Sequence, residues 1–182
     1  MCRTTSKYNG LTYNKSIKRK YERRENNNCY TYAINQMNNP YTNKPYKSYD
    51  YCQPGFLGGQ GKQIDFNYYL NIKSLDKCSI LKMVRKDLKQ IGYTLRKTSY
   101  EKYIKDNDCW KVAFCLSSSD YHWYRQNDDG TWSQKRGPST VTNKDSSGEI
   151  IHNPETCDRG KYNIFVGFYL IKKIKGVETK CA

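Results

Sequence analysis

Two residues in this sequence sit where their types can do chemistry together. Cys29 follows the run Asn26-Asn27-Asn28 and opens the segment CYTYAINQM, with Asn28 placed to cap a helix. A thiol in the first turn of a helix feels the positive end of the helix dipole, which favours the nucleophilic thiolate. His122 lies in DYHWYRQ between Tyr121 and the pair Trp123-Tyr124. Aromatic neighbours exclude water and pull an imidazole pKa down, into the range of a general base. The expected reaction is amide-bond hydrolysis. His122 takes the thiol proton, Cys29 attacks the carbonyl, and water later resolves the thioester. The backbone N–H of Cys29 and a side-chain amide from Asn27 or Asn28 would hold the oxyanion. This chemistry calls for no cofactor and no metal.

The base needs an orienting partner. Across the NDDG turn, TWSQKRG offers Ser133 and Gln134, and 134 − 122 = 12 residues separate Gln134 from His122. Strand alternation allows only one of the two to share the face of His122. Gln134 is the first candidate and Asp158 the second, with Asp145 and Asn153 further polar residues of the following loop. A Cys on an early helix and a His on a later strand, in that order, is the layout of papain-like thiol hydrolases.

Longer segments carry a second resemblance. NNNCYTYAIN, QPGFLGG and DYHWYRQNDDGTWSQKRGPSTVTNKDSSGEIIHNPETCDRGKYNIFVGFY resemble a family of bacterial and large-virus proteins with no firmly assigned activity. Its pattern runs NCYNYA, AQPGR, DYHWYRQ-DGTWSHKPG, VTN-D-SG and ADRGPY-FVGY, and the likeness spans most of residues 26–170. The resemblance implies that the family's Cys and His fall on Cys29 and His122. This sequence departs from it at Gln134, where the family has His, at Arg136, where it has Pro, and at Cys157, where it has Ala. A Gln can still donate or accept the hydrogen bond that would orient His122.

The elements that must position these residues follow from spacing. A helix should run from Cys29, with Ala33 and Met37 at i+4 and i+8, until Pro40 ends it. Residues 40–63, rich in Pro, Gly and Tyr, read as a loop. Leu75, Cys78, Leu81, Val84, Leu88 and Ile91 recur every three or four residues, between a Ser74 cap and Gly92. Tyr93–Lys97 is a short strand, and CWKVAFCLS (109–117) a buried one. DYHWYRQ and TWSQKRG form a hairpin closed at Asp129-Gly130. Residues 138–161 read as a polar loop, and 163–174 as an apolar last strand. The expected architecture is α+β and papain-like, with N-terminal helices packed on an antiparallel sheet. A basic arm (1–25, containing KSIKRK) should precede the domain (26–176).

Composition bounds the alternatives. The chain has 182 residues, 32 Lys+Arg against 17 Asp+Glu, and a net charge of +15. With 36% hydrophobic residues it is poorly apolar, yet 14% aromatics exceed what a disordered polyelectrolyte carries. Neither a collagen repeat, a sustained heptad nor an 18-residue apolar run is present. Eight cysteines without a CxxC pair, and only His122 and His152, argue against zinc. MCRTTSKYNG lacks the apolar core of a secretory signal. A cytoplasmic address with reduced thiols, in a host cell or a virion if viral, is therefore the expectation. As an enzyme, the chain would act on a peptide, an acidic protein or a peptidoglycan-like substrate. The alternative is a non-enzymatic basic protein, stapled by disulfides, that binds nucleic acid or is packaged in a virion; a third reading is a degenerate hydrolase fold that binds without turnover. On that view Cys29 is a small buried hydrophobe and His122 a satisfied core imidazole.

Overall fold

The sheet organises the molecule. The structure, a computed structural model, describes residues 26–46, 52–62, 76–102 and 108–176. Its elements are α1 (Cys29–Ala33), β1 (Asn38–Asn39), β2 (Lys44–Pro45), α2 (Lys77–Gln90), β3 (Tyr93–Thr98), β4 (Cys109–Leu116), β5 (Tyr121–Gln126), β6 (Trp132–Lys135), β7 (Val141–Thr142) and β8 (Ile164–Lys173). β1 and β2 pair alone, while the other six strands form one sheet in the order β3-β8-β4-β5-β6-β7. Every pairing is antiparallel.

This corrects the papain-like α+β expectation. Among the described residues the fold is mostly β, with two helices of 5 and 14 residues beside the sheet. The first helix stops at Ala33 rather than running towards Pro40, and the cause is Asn35. That residue takes a left-handed conformation at φ 58°, while Gln36 N–H bonds Thr31 C=O (2.9 Å) and Asn35 N–H bonds Tyr32 C=O (3.3 Å). These two bonds are the Schellman closure, which consumes the carbonyls a longer helix would need. The second helix is capped by Asp76, whose carboxylate accepts from Cys78 and Ser79 N–H; Ser74 and the arm 1–25 lie outside the described residues.

The stretch read as a plain polar loop supplies strand β7, paired to β6, and a bridge between Lys144 and Ile150. The apolar strand β8 is last in the chain but central in the sheet, between β3 and β4. Its position explains its near-continuous apolar sequence. The β5–β6 hairpin turns at Gly130, whose φ of 86° is open to a glycine at little cost. Asn127 N–H closes that turn on Thr131 C=O at 2.8 Å.

The two sheet faces build separate cores. Val112, Phe114 and Leu116 of β4 meet Tyr121 and Trp123 of β5, together with Tyr30 and Ala33 of α1 and Ile80, Val84 and Leu88 of α2. Phe114 and Trp123 stack at 4.4 Å between centroids. On the other face Ala113, Cys115, Tyr124, Trp132, Ile151 and Phe168 cluster. Such alternation is what a strand buried on both sides requires.

Candidate functional site

Cys29 is the first residue of α1. Its cap, Asn28, accepts Thr31 N–H on Oδ1 at 3.0 Å, and Thr31 Oγ1 receives the Asn28 N–H at 3.0 Å. This reciprocal pair is a capping box, and it fixes where the helix begins. β6 pairs with β5 only at residues 124–126, and beside the earlier part of β5 the thiol lies 4.0 Å from Tyr121 C=O. Cys29 therefore lies against the backbone that flanks His122. Burial pushes its thiol up to about 12, although the Trp123 N–H, the Tyr30 N–H and the charge of Lys135 pull the other way. Five helical residues supply too weak a dipole to offset desolvation. At neutral pH the thiolate fraction is on the order of 10⁻⁵.

His122 lies on the opposite core face, partnered in register by Cys115. Its Nε2 is 2.8 Å from Gln134 Oε1. Gln134 Nε2 donates to Lys144 C=O (2.6 Å) and Arg136 Nε donates to Gln134 Oε1 (3.2 Å). These two contacts fix the amide, so the Oε1 can only accept and His122 must carry its proton on Nε2. Nδ1 is then the basic nitrogen. The ring stacks on Tyr162 (centroids 4.8 Å, 22°) and meets the edge of Tyr124 (4.9 Å). Burial lowers the imidazole to about 4, with the Gln134 bond opposing and Arg136 reinforcing that shift. Cys29 and His122 are both neutral at pH 7.

The remaining sequence candidates separate. Gln134 meets His122, whereas Ser133 faces the other core: Tyr32 Oη lies 2.6 Å from Ser133 Oγ, which in turn donates to Asn127 Oδ1 at 2.7 Å. Asp158 is exposed and its carboxylate takes the Gly160 N–H, while the bond to His122 is made by Gln134. Asp145 collects N–H groups from Ser147, Glu149 and Asp158, which with the Ser147 hydroxyl hold its carboxyl below the usual range against a desolvation effect. Asn153 closes a turn on Glu155 N–H. Asn28 Nδ2 donates one of its two N–H groups to Cys52 C=O at 3.2 Å. Asn27 is buried with neither side-chain amide atom hydrogen-bonded.

Asp87 was not singled out by the sequence reading. Its buried carboxylate receives Tyr30 Oη (2.6 Å), Gly55 N–H (2.7 Å) and Gly58 N–H (2.6 Å). It thereby ties α1 and the loop 52–62 to α2. Desolvation raises its pKa against those bonds. The loop passes so near the helix that a Cβ on Gly58 would sit 2.8 Å from Lys86 Cβ. The signal was present: Asp87 falls at i+3 from Val84, in the core-facing stripe. Among the described residues no group of three or more His, Cys, Asp or Glu could hold a metal ion. None of their helices is long and apolar enough to cross a membrane.

The chain matches no protein-family model and no solved structure. Over 61 residues it is 41% identical to Insoluble matrix shell protein 1 of Ruditapes philippinarum, covering 34% of this chain and 41% of that one. The chain thus spans less than half the length of this relative. The expected cytoplasmic address draws no support from a relative named for a shell matrix. The expected classification as a papain-like thiol protease or hydrolase of viral type is overturned, because the fold is mostly β and a relative carries the name of a matrix protein.

Proposed function

We propose that this chain is a non-enzymatic basic protein that binds acidic polymers, nucleic acid being the class with the densest charge. The observation that carries the reading is the excess of 32 basic over 17 acidic residues. A +15 surface raises the local concentration of any polyanion and drives binding by counterion release. Two facts support it. Burial keeps the Cys29 thiol protonated, and similarity, although partial, runs to a protein named for an insoluble matrix.

The test has two arms. Labelled duplex DNA should bind the full chain with an affinity that falls linearly in log[salt], the signature of phosphate neutralisation. A thiol-directed electrophile should label exposed Cys78 and leave Cys29 untouched in the folded protein. Absence of salt-dependent binding overturns the binding reading. Labelling of Cys29 ahead of Cys78, abolished in His122→Ala, overturns the non-enzymatic one.

A further inference from the structure

The inward side of α2 is spent on the core: Ile80, Leu81, Val84, Asp87 and Leu88 are buried. Its outward side carries Lys82, Arg85, Lys86 and Lys89, all exposed. They stand at i, i+3, i+4 and i+7, so they form one stripe. At about 1.5 Å per residue the stripe is roughly 10 Å long. No acid interrupts it. The helix's single acid, Asp87, is buried beneath the loop 52–62, and the capping Asp76 is turned onto its own helix N–H groups.

Like charges three and four residues apart weaken a helix by a few tenths of a kcal/mol per pair. Lys82–Arg85, Lys82–Lys86, Arg85–Lys89 and Lys86–Lys89 are all such pairs. Acids interspersed at those spacings are the ordinary way to stabilise a solvated helix face, and α2 has none there. A bound polyanion removes that repulsion.

We infer that the outward face of α2 is a docking surface for the phosphate backbone of duplex nucleic acid, engaged without regard to base sequence. The inference rests on the polyanion-binding reading above and gives it a location and an occupant. Line charge selects the occupant. A duplex presents one charge per about 1.7 Å, hence about six over the stripe. An extended acidic polypeptide presents at most one per roughly 3.3 Å, about half that density. Three of the four cations are Lys, a point charge on a flexible stem that neutralises phosphate but does not read base edges bidentately.

The experiment compares three full-length proteins by fluorescence anisotropy with a labelled duplex of arbitrary sequence across a NaCl series. The wild type is set against K82Q/R85Q/K86Q/K89Q and a charge-matched control, K44Q/K62Q/K102Q/K144Q, drawn from exposed lysines elsewhere. Circular dichroism and thermal melting establish that each is folded. Four lost phosphate contacts should flatten the salt slope by about 3.6 and weaken binding roughly a thousandfold near 0.1 M salt. The control should flatten it by less than about 1. Equal losses in both variants overturn the assignment to α2 while leaving the polyanion-binding reading intact. Failure of the wild type to bind overturns both. Polyglutamate binding as tightly as duplex, through the same four residues, overturns the choice of occupant.

Discussion

The two helices distribute their residues in opposite ways. All five residues of α1 are buried, including the thiol and three side chains with hydroxyls. α2 buries five of its fourteen residues and turns a row of cations outward. The residue with the most reactive chemistry is sealed, and the residues with the plainest chemistry are accessible. Residue type alone does not confer reactivity, because burial pushes the Cys29 thiol up to about 12 in spite of its place at a helix start. Accessibility decides which side chains meet a partner.

One carboxylate joins these two environments, and removing it should produce the largest effect. Asp87→Ala strands the Tyr30 hydroxyl and the Gly55 and Gly58 N–H groups in the core. Orphaning a buried, charge-assisted network of this size costs about 3–5 kcal/mol. Its chain neighbour Lys86, on the outer face, should lose no more than about 0.5 kcal/mol on change to Gln. Urea unfolding of both variants checks the pair. Similar costs at 86 and 87 would erase the distinction between the two faces of α2.

The opposite core face should announce itself through pH. His122 has a folded pKa of about 4, set first by burial, against an ordinary value of 6.5. Between those values the unfolded chain binds a proton that the folded chain does not, so stability falls as pH drops from 6.5 towards 4. The full effect is about 3 kcal/mol. Chemical denaturation at stepped pH should show this loss in the wild type and its absence in His122→Asn, once other titrations common to both are subtracted. An identical pH dependence in the two proteins would mean that the imidazole is solvated.

The legible parts of the fold were those fixed by short-range chemistry. The Asp-Gly turn fixed the β5–β6 hairpin, and alternation narrowed the partner of His122 to one of Ser133 and Gln134, which the strand register resolves as Gln134. The apolar stripe of α2 was also plain. Three things were not. Asn35 reads as one more polar residue unless its left-handed φ is known, so spacing alone extends the first helix past its true end. The central place of β8 depends on long-range pairing with β3 and β4, which no local pattern encodes. Spacing brings Cys29 and His122 into one frame, but it gives no measure of desolvation, and desolvation sets both pKa values. The helix-dipole argument therefore had the right sign and too small a magnitude.

The smallest effect concerns what stops α1, and it sharpens the contrast between the helices. Asn35 holds φ at 58°, a conformation that costs an ordinary L-residue about 1–2 kcal/mol and Asn somewhat less. Glycine carries no such cost, so Asn35→Gly should leave stability within about 0.5 kcal/mol of the wild type or raise it slightly. Asn35→Ala should lower it by about 1 kcal/mol, because the Cβ remains and the adaptable amide is lost. Paired melting curves separate the two. Ala equal to Gly at this position would show that the left-handed residue does not terminate the helix. The brevity and complete burial of α1 would then have to come from the sheet edge it packs against.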